Sequence, residues 1–399
     1  MFLSKQININ NYNLKDSFDT QSTEDLLNAI LFRYDSYAIP FLTPIGTRIV
    51  KNMENTMLTQ ASSCGMEQIE LPTIVDNQVL ESGQDIGEQF QRKIMHLQGN
   101  MDGFHLMMTP EPLIIKILSD NNLSHLQLPL RYVYTSNFYR DMADPRHFLR
   151  GKQFKMFGGF SVDSDISSLM QTAEVFDSMT QNIFSAFNLP FYRKEDDNKL
   201  TTEYFYLSEA GKENVYLPEI DAGKKTKALS LAMYYHYTTN KPLKLKYTNQ
   251  QNRKVKPLFL TYGLGTQRTL FSIMDANRDK YGFILPECLR PFDYVLIPLK
   301  QQQRPLANMT YNRMKSMELN VAVDDRVNIS VSDRQKCSQF LSCPTNIIIT
   351  NNGFKIYNRK LEKIVEVDNW FQLYAFLSQP QQFTPSSIKI AEIKKRLQR

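Results

Sequence analysis

"SNFYRDMADPRHFLRGKQFKMF", residues 136–157, is the stretch on which the reading of this chain turns. It reads as a strand, a charged loop and a second strand. Arg140, Arg146, Arg150 and Lys152 supply the cations, and Asp141 and Asp144 offset part of that charge. Two interpretations are open. Guanidinium forks match phosphate oxygens, so such a loop can grip a polyphosphate. A solvated surface hairpin carries the same charges with no ligand, and the flanking sequence has to decide.

Upstream, "LRYVYTSNFYR" and "FHLMMTPEP" read as strands, and "MEQIELPTIV" as a strand whose Pro72 favours an edge. Before it, in "PIGTRIVKNMENTMLTQASSCG", Ile49, Met53, Met57 and Ala61 recur at helical spacing, and Gly65 is placed to stop the helix. Downstream, "SSLMQTAEVFDSMTQNIFSAFN" is an amphipathic helix. "KPLFLTYGLGTQRTLFSIMDANRD" is a strand, a glycine-containing turn and a helix. From the buried strand in "RPFDYVLIPLK" onward the units shorten and alternate. They run "LANMTYNRMKSMEL" as helix, "NVAVDD", "TNIIIT" and "FKIYNR" as strands, and "NWFQLYAFLSQ" as helix. Alternation of this kind implies a small α/β domain over a mixed sheet. The expected organisation is a loose polar arm at 1–22, a main domain at 23–290, a second domain at 291–388 and a basic tail at 389–399. No repeat of fixed period is present.

A chain of 399 residues with 42% hydrophobic and 22% charged residues buries a large core, and aromatics at 12% argue against extensive disorder. The balance of 47 Lys+Arg against 41 Asp+Glu leaves +6, compatible with a polyanionic partner without requiring one. No apolar run approaches the roughly 18 residues that span a bilayer, so no membrane partner is expected. The opening "MFLSKQININNYNLKDSFDT" has neither a signal-peptide core nor an arginine. Cys64, Cys288, Cys337 and Cys343 are scattered without a CxxC, and the histidines lack ligand spacing. These features point to a reduced, cytoplasmic setting with no structural metal.

Three separated segments then fall into one order: a helix followed by a Pro-bearing strand, a strand–cationic loop–strand, and a strand entering "GLGTQR" before a helix. That order resembles motifs 1, 2 and 3 of the class II aminoacyl-tRNA synthetases, and specifically the bacterial-type prolyl-tRNA synthetases. "PIGTRIVKNMENTM" with "VLESGQ", "MTPEP", "LPLRYVYTSNFYRD" and "YGLGTQRTLFSIMDANRDKYGFILPECLRPFDYVLIP" carry the likeness, and "NVAVDDR" extends it into the last domain. The resemblance implies an α+β catalytic domain, an antiparallel sheet flanked by helices, followed by a small α/β anticodon-binding-like domain. It implies ATP and Mg2+ as cofactors of an active enzyme, proline or a related small amino acid as substrate, tRNA as partner, and a homodimer built on motif 1.

The same resemblance assigns residues. Arg140 is the α-phosphate clamp, Arg150 and Lys152 the loop cations, Phe154 the ring that stacks on adenine, and Arg268 the γ-phosphate ligand. Gly263 and Gly265 allow close backbone approach. Thr109 and Glu111, with Arg140, form the amino-acid site, where a carboxylate suits a protonated imino nitrogen. Asp324, Asp325 and Arg326 are the tRNA-reading residues. Bland alternatives stand beside these: Arg140 as half of a structural ion pair, Glu111 as a helix N-terminal carboxylate.

The chain also departs from the pattern. Met142 stands where a glutamate should receive adenine's amino group, and a thioether is a weak acceptor. In "ALSLAMYYHY", Ser230 and Ala232 replace a glutamate and glycine that lie near metal and substrate. "TTEY" keeps Glu203 but loses a histidine, and "DDRVNISVSDRQK" lacks the Arg-Pro-Gly and lysine expected beside it. The stretch 163–255 is too short for a large editing insertion. Two hypotheses follow: an ATP-dependent ligase that activates proline and charges tRNA or another carrier, and a catalytically impaired paralogue that uses the scaffold to bind nucleic acid or protein.

Overall fold

The computed structural model describes residues 1–5, 22–34, 38–82, 91–146, 148–196, 201–216, 225–237, 245–359 and 363–378. The chain divides into two compact units, one of residues 34–40 and 54–272, the other of 1–33, 41–53 and 273–399.

The first unit is built on an eight-stranded sheet. Its strands are β1 (Glu67–Gln68), β2 (Leu130–Tyr139), β3 (Gln153–Asp163), β4 (Tyr192–Glu195), β5 (Thr201–Leu207), β6 (Glu213–Tyr216), β7 (Lys225–Tyr237) and β8 (Leu258–Gly265). The order is β1-β2-β3-β8-β7-β5-β4, with β6 paired to β7 outside that path. Every pairing is antiparallel except β1 with β2. Aromatic and β-branched residues favour extended backbone in β2 and β3. On one face Tyr134, Phe138, Phe160, Val162 and Phe259 join one buried cluster. The expected strand–loop–strand is therefore β2 and β3, and the loop between them closes on mutual backbone bonds of Arg146 and Arg150 at 3.0 and 2.9 Å.

Four helices matter to the site: α1 (Pro44–Ser63), α2 (Glu111–Asp120), α3 (Ile166–Ala186) and α4 (Thr266–Ala276). Asp165 caps α3 by accepting from the Ser168 amide at 3.0 Å, and Leu169, Ala173, Phe176, Met179 and Ile183 are buried along it. α1 ends two residues before Gly65, whose φ of 75° suits a glycine. Its apolar stripe of Ile49, Met53, Met57 and Ala61 is already buried within a single chain. The stripe therefore offers no open face to a second copy. The expected strand "MEQIELPTIV" is split: Glu67–Gln68 pairs with β2, and Ile74–Asp76 pairs with Phe104–Leu106. Pro72 falls between the two pieces, where its missing N–H interrupts no ladder.

The second unit holds a five-stranded mixed sheet of β9 (Tyr294–Pro298), β10 (Val321–Val323), β11 (Thr345–Thr350), β12 (Gly353–Asn358) and β13 (Lys363–Val367). The order is β10-β9-β11-β12-β13, parallel from β10 to β11 and antiparallel beyond. Helices α5 (Arg304–Ser316), α6 (Val331–Phe340) and α7 (Trp370–Leu377) belong to this unit. Met314 of α5 and Leu373 and Leu377 of α7 share a buried cluster with Leu296, Ile347 and Ile356.

The first residues are not a loose arm. Phe2 forms a parallel bridge with Val323, Leu3 is buried, and the Ser4 amide and hydroxyl donate to Asp325 at 2.9 and 2.7 Å. Apolar burial and a charge-assisted bond hold them to the edge of the sheet. Residues 6–21 and the tail at 389–399 lie outside the described residues.

Candidate active site

Sheet register builds the floor. Tyr134, Gly158, Gly263 and Met233 are neighbours in one row across β2, β3, β8 and β7. A Cβ on Gly158 would lie 2.4 Å from the Tyr134 ring, and one on Gly263 would lie 2.5 Å from the Met156 methyl. The two glycines thus let Tyr134 and Met156 fold down onto the sheet. Gly265 differs, since a Cβ there would meet no protein atom nearer than 3.9 Å.

Above this floor is a cavity of about 610 Å³ lined by Thr109, Glu111, Arg140, Met142, Arg150, Phe154, Ser230, Ala232, Gly263, Gly265 and Arg268. Residues far apart in the sequence therefore meet in one space. Lys152 is not among its lining residues. It pairs with Asp141 at 2.7 Å instead, and Lys155, ion-paired to Glu54 at 2.5 Å, lines the cavity.

One end of the cavity carries a carboxylate. Glu111 opens α2, and both of its oxygens take hydroxyl donors: Thr261 Oγ1 at 2.9 Å and Thr109 Oγ1. The carboxylate is braced without a protein cation bonded to it in these contacts. Burial, and then the charge of Glu111, push the Tyr134 hydroxyl well above its usual pKa, so it stays neutral.

The other end carries the arginines. Arg140 follows β2, its Nε donates to the Met108 carbonyl at 3.4 Å, and its guanidinium sits 4.9 Å from the centre of the Phe154 ring. Burial lowers the pKa of Arg140, the charge of Glu111 opposes that, and Arg268 adds to it. Arg268 lies in the first turn of α4. It donates to the carbonyls of Ser230 at 3.1 Å and Leu149 at 3.3 Å, and lies 3.6 Å from Glu213. Arg150 Nη2 approaches Met142 Sδ at 3.9 Å, so the thioether faces a cation.

At Ser230 and Ala232 the β7–β5 register shifts. This bulge brings Ser230, Leu231 and Ala232 all to the cavity wall, a common device beside active sites. The Ser230 hydroxyl donates to Glu203. Burial pushes the Glu203 carboxyl up, the Ser230 bond pulls it down, and Glu213 pushes it up again, with a net rise.

Asp324, Asp325 and Arg326 are elsewhere and are inside the second unit. Asp324 accepts from Arg326 Nε at 2.8 Å and Nη2 at 2.6 Å, with both residues buried. Asp325 is buried too, between Ser4 and Arg304 at 2.7 Å. Both carboxylates of these expected tRNA-reading residues are engaged in bonds within the second unit. Residues the sequence reading omitted are Tyr134, Met156, Met233, Tyr235 and Glu213.

Residues 93–277 match the family described as the tRNA synthetase class II core domain (G, H, P, S and T). The proline–tRNA ligase of Rickettsia bellii is 25% identical over 395 residues, covering 86% of this chain and 91% of that protein. The corresponding Wolbachia sp. ligase is 24% identical over 388 residues, covering 86% and 89%. Among solved structures, Giardia lamblia prolyl-tRNA synthetase in complex with prolyl-adenylate has a TM-score of 0.69 at 16% identity, covering 86% of this chain and 72% of that one. Cryptosporidium parvum prolyl-tRNA synthetase with halofuginone and AMPPNP has a TM-score of 0.70 at 15% identity, covering 94% and 77%. Residues 93–277 are thus a class II tRNA synthetase core domain, carried in a chain whose relatives are proline–tRNA ligases.

Proposed function

We propose that this protein is an aminoacyl-tRNA ligase that joins proline to AMP from ATP and transfers it to tRNA. The observation that carries this reading is a hydroxyl-braced carboxylate, Glu111, sharing one cavity with Arg140 and Arg268. Such a site holds an amino group at one end and phosphate charge at the other, so that the amino acid's carboxylate is presented to the α-phosphate. Arg140 neutralises charge that builds on that phosphorus, and Arg268 takes the far end of the triphosphate. Arg150 and Phe154 border the nucleotide end. Lys152, paired with Asp141 outside the cavity lining, adds positive charge to the loop.

Magnesium would accompany the triphosphate, usually held by phosphate oxygens, water and one or two carboxylates. Ser230 and Ala232 offer no carboxylate, and Glu203, which accepts from Ser230 of the cavity wall, would be the acid to approach the ion. The ion supplies charge neutralisation when bound. Domains at 23–290 and 291–388, a cytoplasmic location and a homodimer complete the reading. The dimer would use the short, exposed edge at β1 and not the α1 stripe. Among the described residues no helix is long and apolar enough to cross a membrane.

The alternative of an impaired, tRNA-binding paralogue draws on Met142, which gives adenine no charged acceptor. Proline-dependent exchange of pyrophosphate into ATP, followed by charging of tRNA, tests the proposal. Exchange without charging would move the acceptor away from tRNA, and no exchange by a folded protein would overturn the ligase.

A further inference from the structure

Glu213 lies on β6, which among the described residues pairs only with β7. Its placement is built by the turn before it. A Cβ on Gly211 would lie 2.0 Å from the Ala228 carbonyl oxygen, so glycine alone lets the chain pass β7 this closely. Val215 then packs with Phe205 and Ala228 and fixes the strand. The turn is also tied to the β2–β3 loop, through Arg146 donating to the Ala210 carbonyl at 3.3 Å and through the Lys212–Asp144 ion pair. These contacts hold the Glu213 carboxylate 3.6 Å from Arg268.

We propose that Glu213 is a positioning residue for the triphosphate: it serves as the counter-ion of Arg268 in the free protein and yields that arginine to the terminal phosphate. The inference rests on Arg268 being a phosphate ligand. The pair differs from a permanent one. Arg326 and Asp324 are bonded at 2.6 Å with side chains 5% and 0% exposed, whereas Arg268 and Glu213 are 3.6 Å apart and 32% and 35% exposed. Solvent screens the looser pair, so it exchanges at little cost. The bonds of Arg268 to the Ser230 and Leu149 carbonyls hold the guanidinium in place while its anionic partner changes. A phosphate brings more charge than a carboxylate and matches the guanidinium fork. The carboxylate left behind then repels the ligand, so the resting contact keeps the arginine ordered and weakens triphosphate binding.

The test is calorimetry on the full chain with inorganic tripolyphosphate in the absence of divalent metal. Glu213→Gln keeps the side-chain volume and should bind about fivefold tighter than wild type. Combining it with Arg268→Ala should erase that gain, a coupling that a merely structural role of Glu213 would not produce. In exchange assays the KM for ATP should fall in Glu213→Gln with no rise in kcat. Unchanged or weaker tripolyphosphate binding overturns the proposal. So does a loss confined to magnesium–ATP, which would make Glu213 a metal ligand. Wild type that binds tripolyphosphate and obeys the double-mutant cycle, yet shows no proline-dependent exchange, would sink the ligase while leaving the counter-ion role standing. No tripolyphosphate binding by any form would overturn both.

Discussion

At Glu111 two threonine hydroxyls hold the two carboxylate oxygens, and that arrangement predicts an asymmetric defect. Glu111→Gln should weaken proline binding by roughly 1.5–3 kcal/mol, the value of a hydrogen bond to a charged group, and leave ATP binding nearly unchanged. Calorimetry with each ligand separately checks it. Met142 calls for a different expectation. A glutamate at 142 would meet Arg150, which already touches the sulfur, so part of any gain for adenine would be spent on that pairing. Met142→Glu should lower the KM for ATP by no more than about tenfold, whereas Arg140→Ala should abolish pyrophosphate exchange. That Thr109, Glu111, Arg140, Phe154 and Arg268 line one cavity was legible through the resemblance carried by the order of their strings, not through any string alone. Tyr134 and Met156 were not, because their position depends on glycines of neighbouring strands, and no local pattern records a cross-strand register.

Among the elements, the long helix and the paired strands around the charged loop follow from periodicity and β propensity. The strands from Tyr192 to Tyr237 do not announce themselves, since β7 carries a bulge that breaks its alternation at Ser230–Ala232. α6 was invisible for another reason. "VSDRQKCSQF" has no apolar stripe, because its inner face is polar: Arg334 is buried and donates to the carbonyls of Pro298 at 2.8 Å and Asp324 at 3.1 Å. The β5–β6 turn gives the clearest prediction at this scale. Gly211→Ala forces a methyl against the Ala228 carbonyl and should cost about 1–3 kcal/mol, the usual range for overpacking, in urea denaturation. A variant as stable as wild type would mean that the turn moves freely.

For the molecule as a whole, the attachment of Ser4 to Asp325 makes acid a specific stress. Burial alone would raise the Asp325 carboxyl, but the Ser4 hydroxyl and amide and the Arg304 guanidinium outweigh it and leave it depressed. A depressed carboxyl contributes stability above its unfolded pKa of about 3.9 and loses that contribution as pH falls through the lower folded value. The stability gap between wild type and Asp325→Asn should therefore be constant from neutral pH to about 4 and close below it. Denaturation at a series of pH values reads the gap directly. Sedimentation at micromolar concentration tests the assembly: a dimer is expected, and a monomer would remove the proposed contact at β1.

The same attachment joins residues 321 positions apart in the chain. A ribosome adding about 5–20 residues per second needs roughly 15–60 seconds to make that span. During this time Phe2 and Ser4 have been synthesised and their partners Val323 and Asp325 have not, so these contacts wait for the second unit's sheet to emerge. This edge of the sheet therefore closes late in synthesis, and a message truncated before Val323 would release a protein in which Phe2 and Ser4 lack both partners.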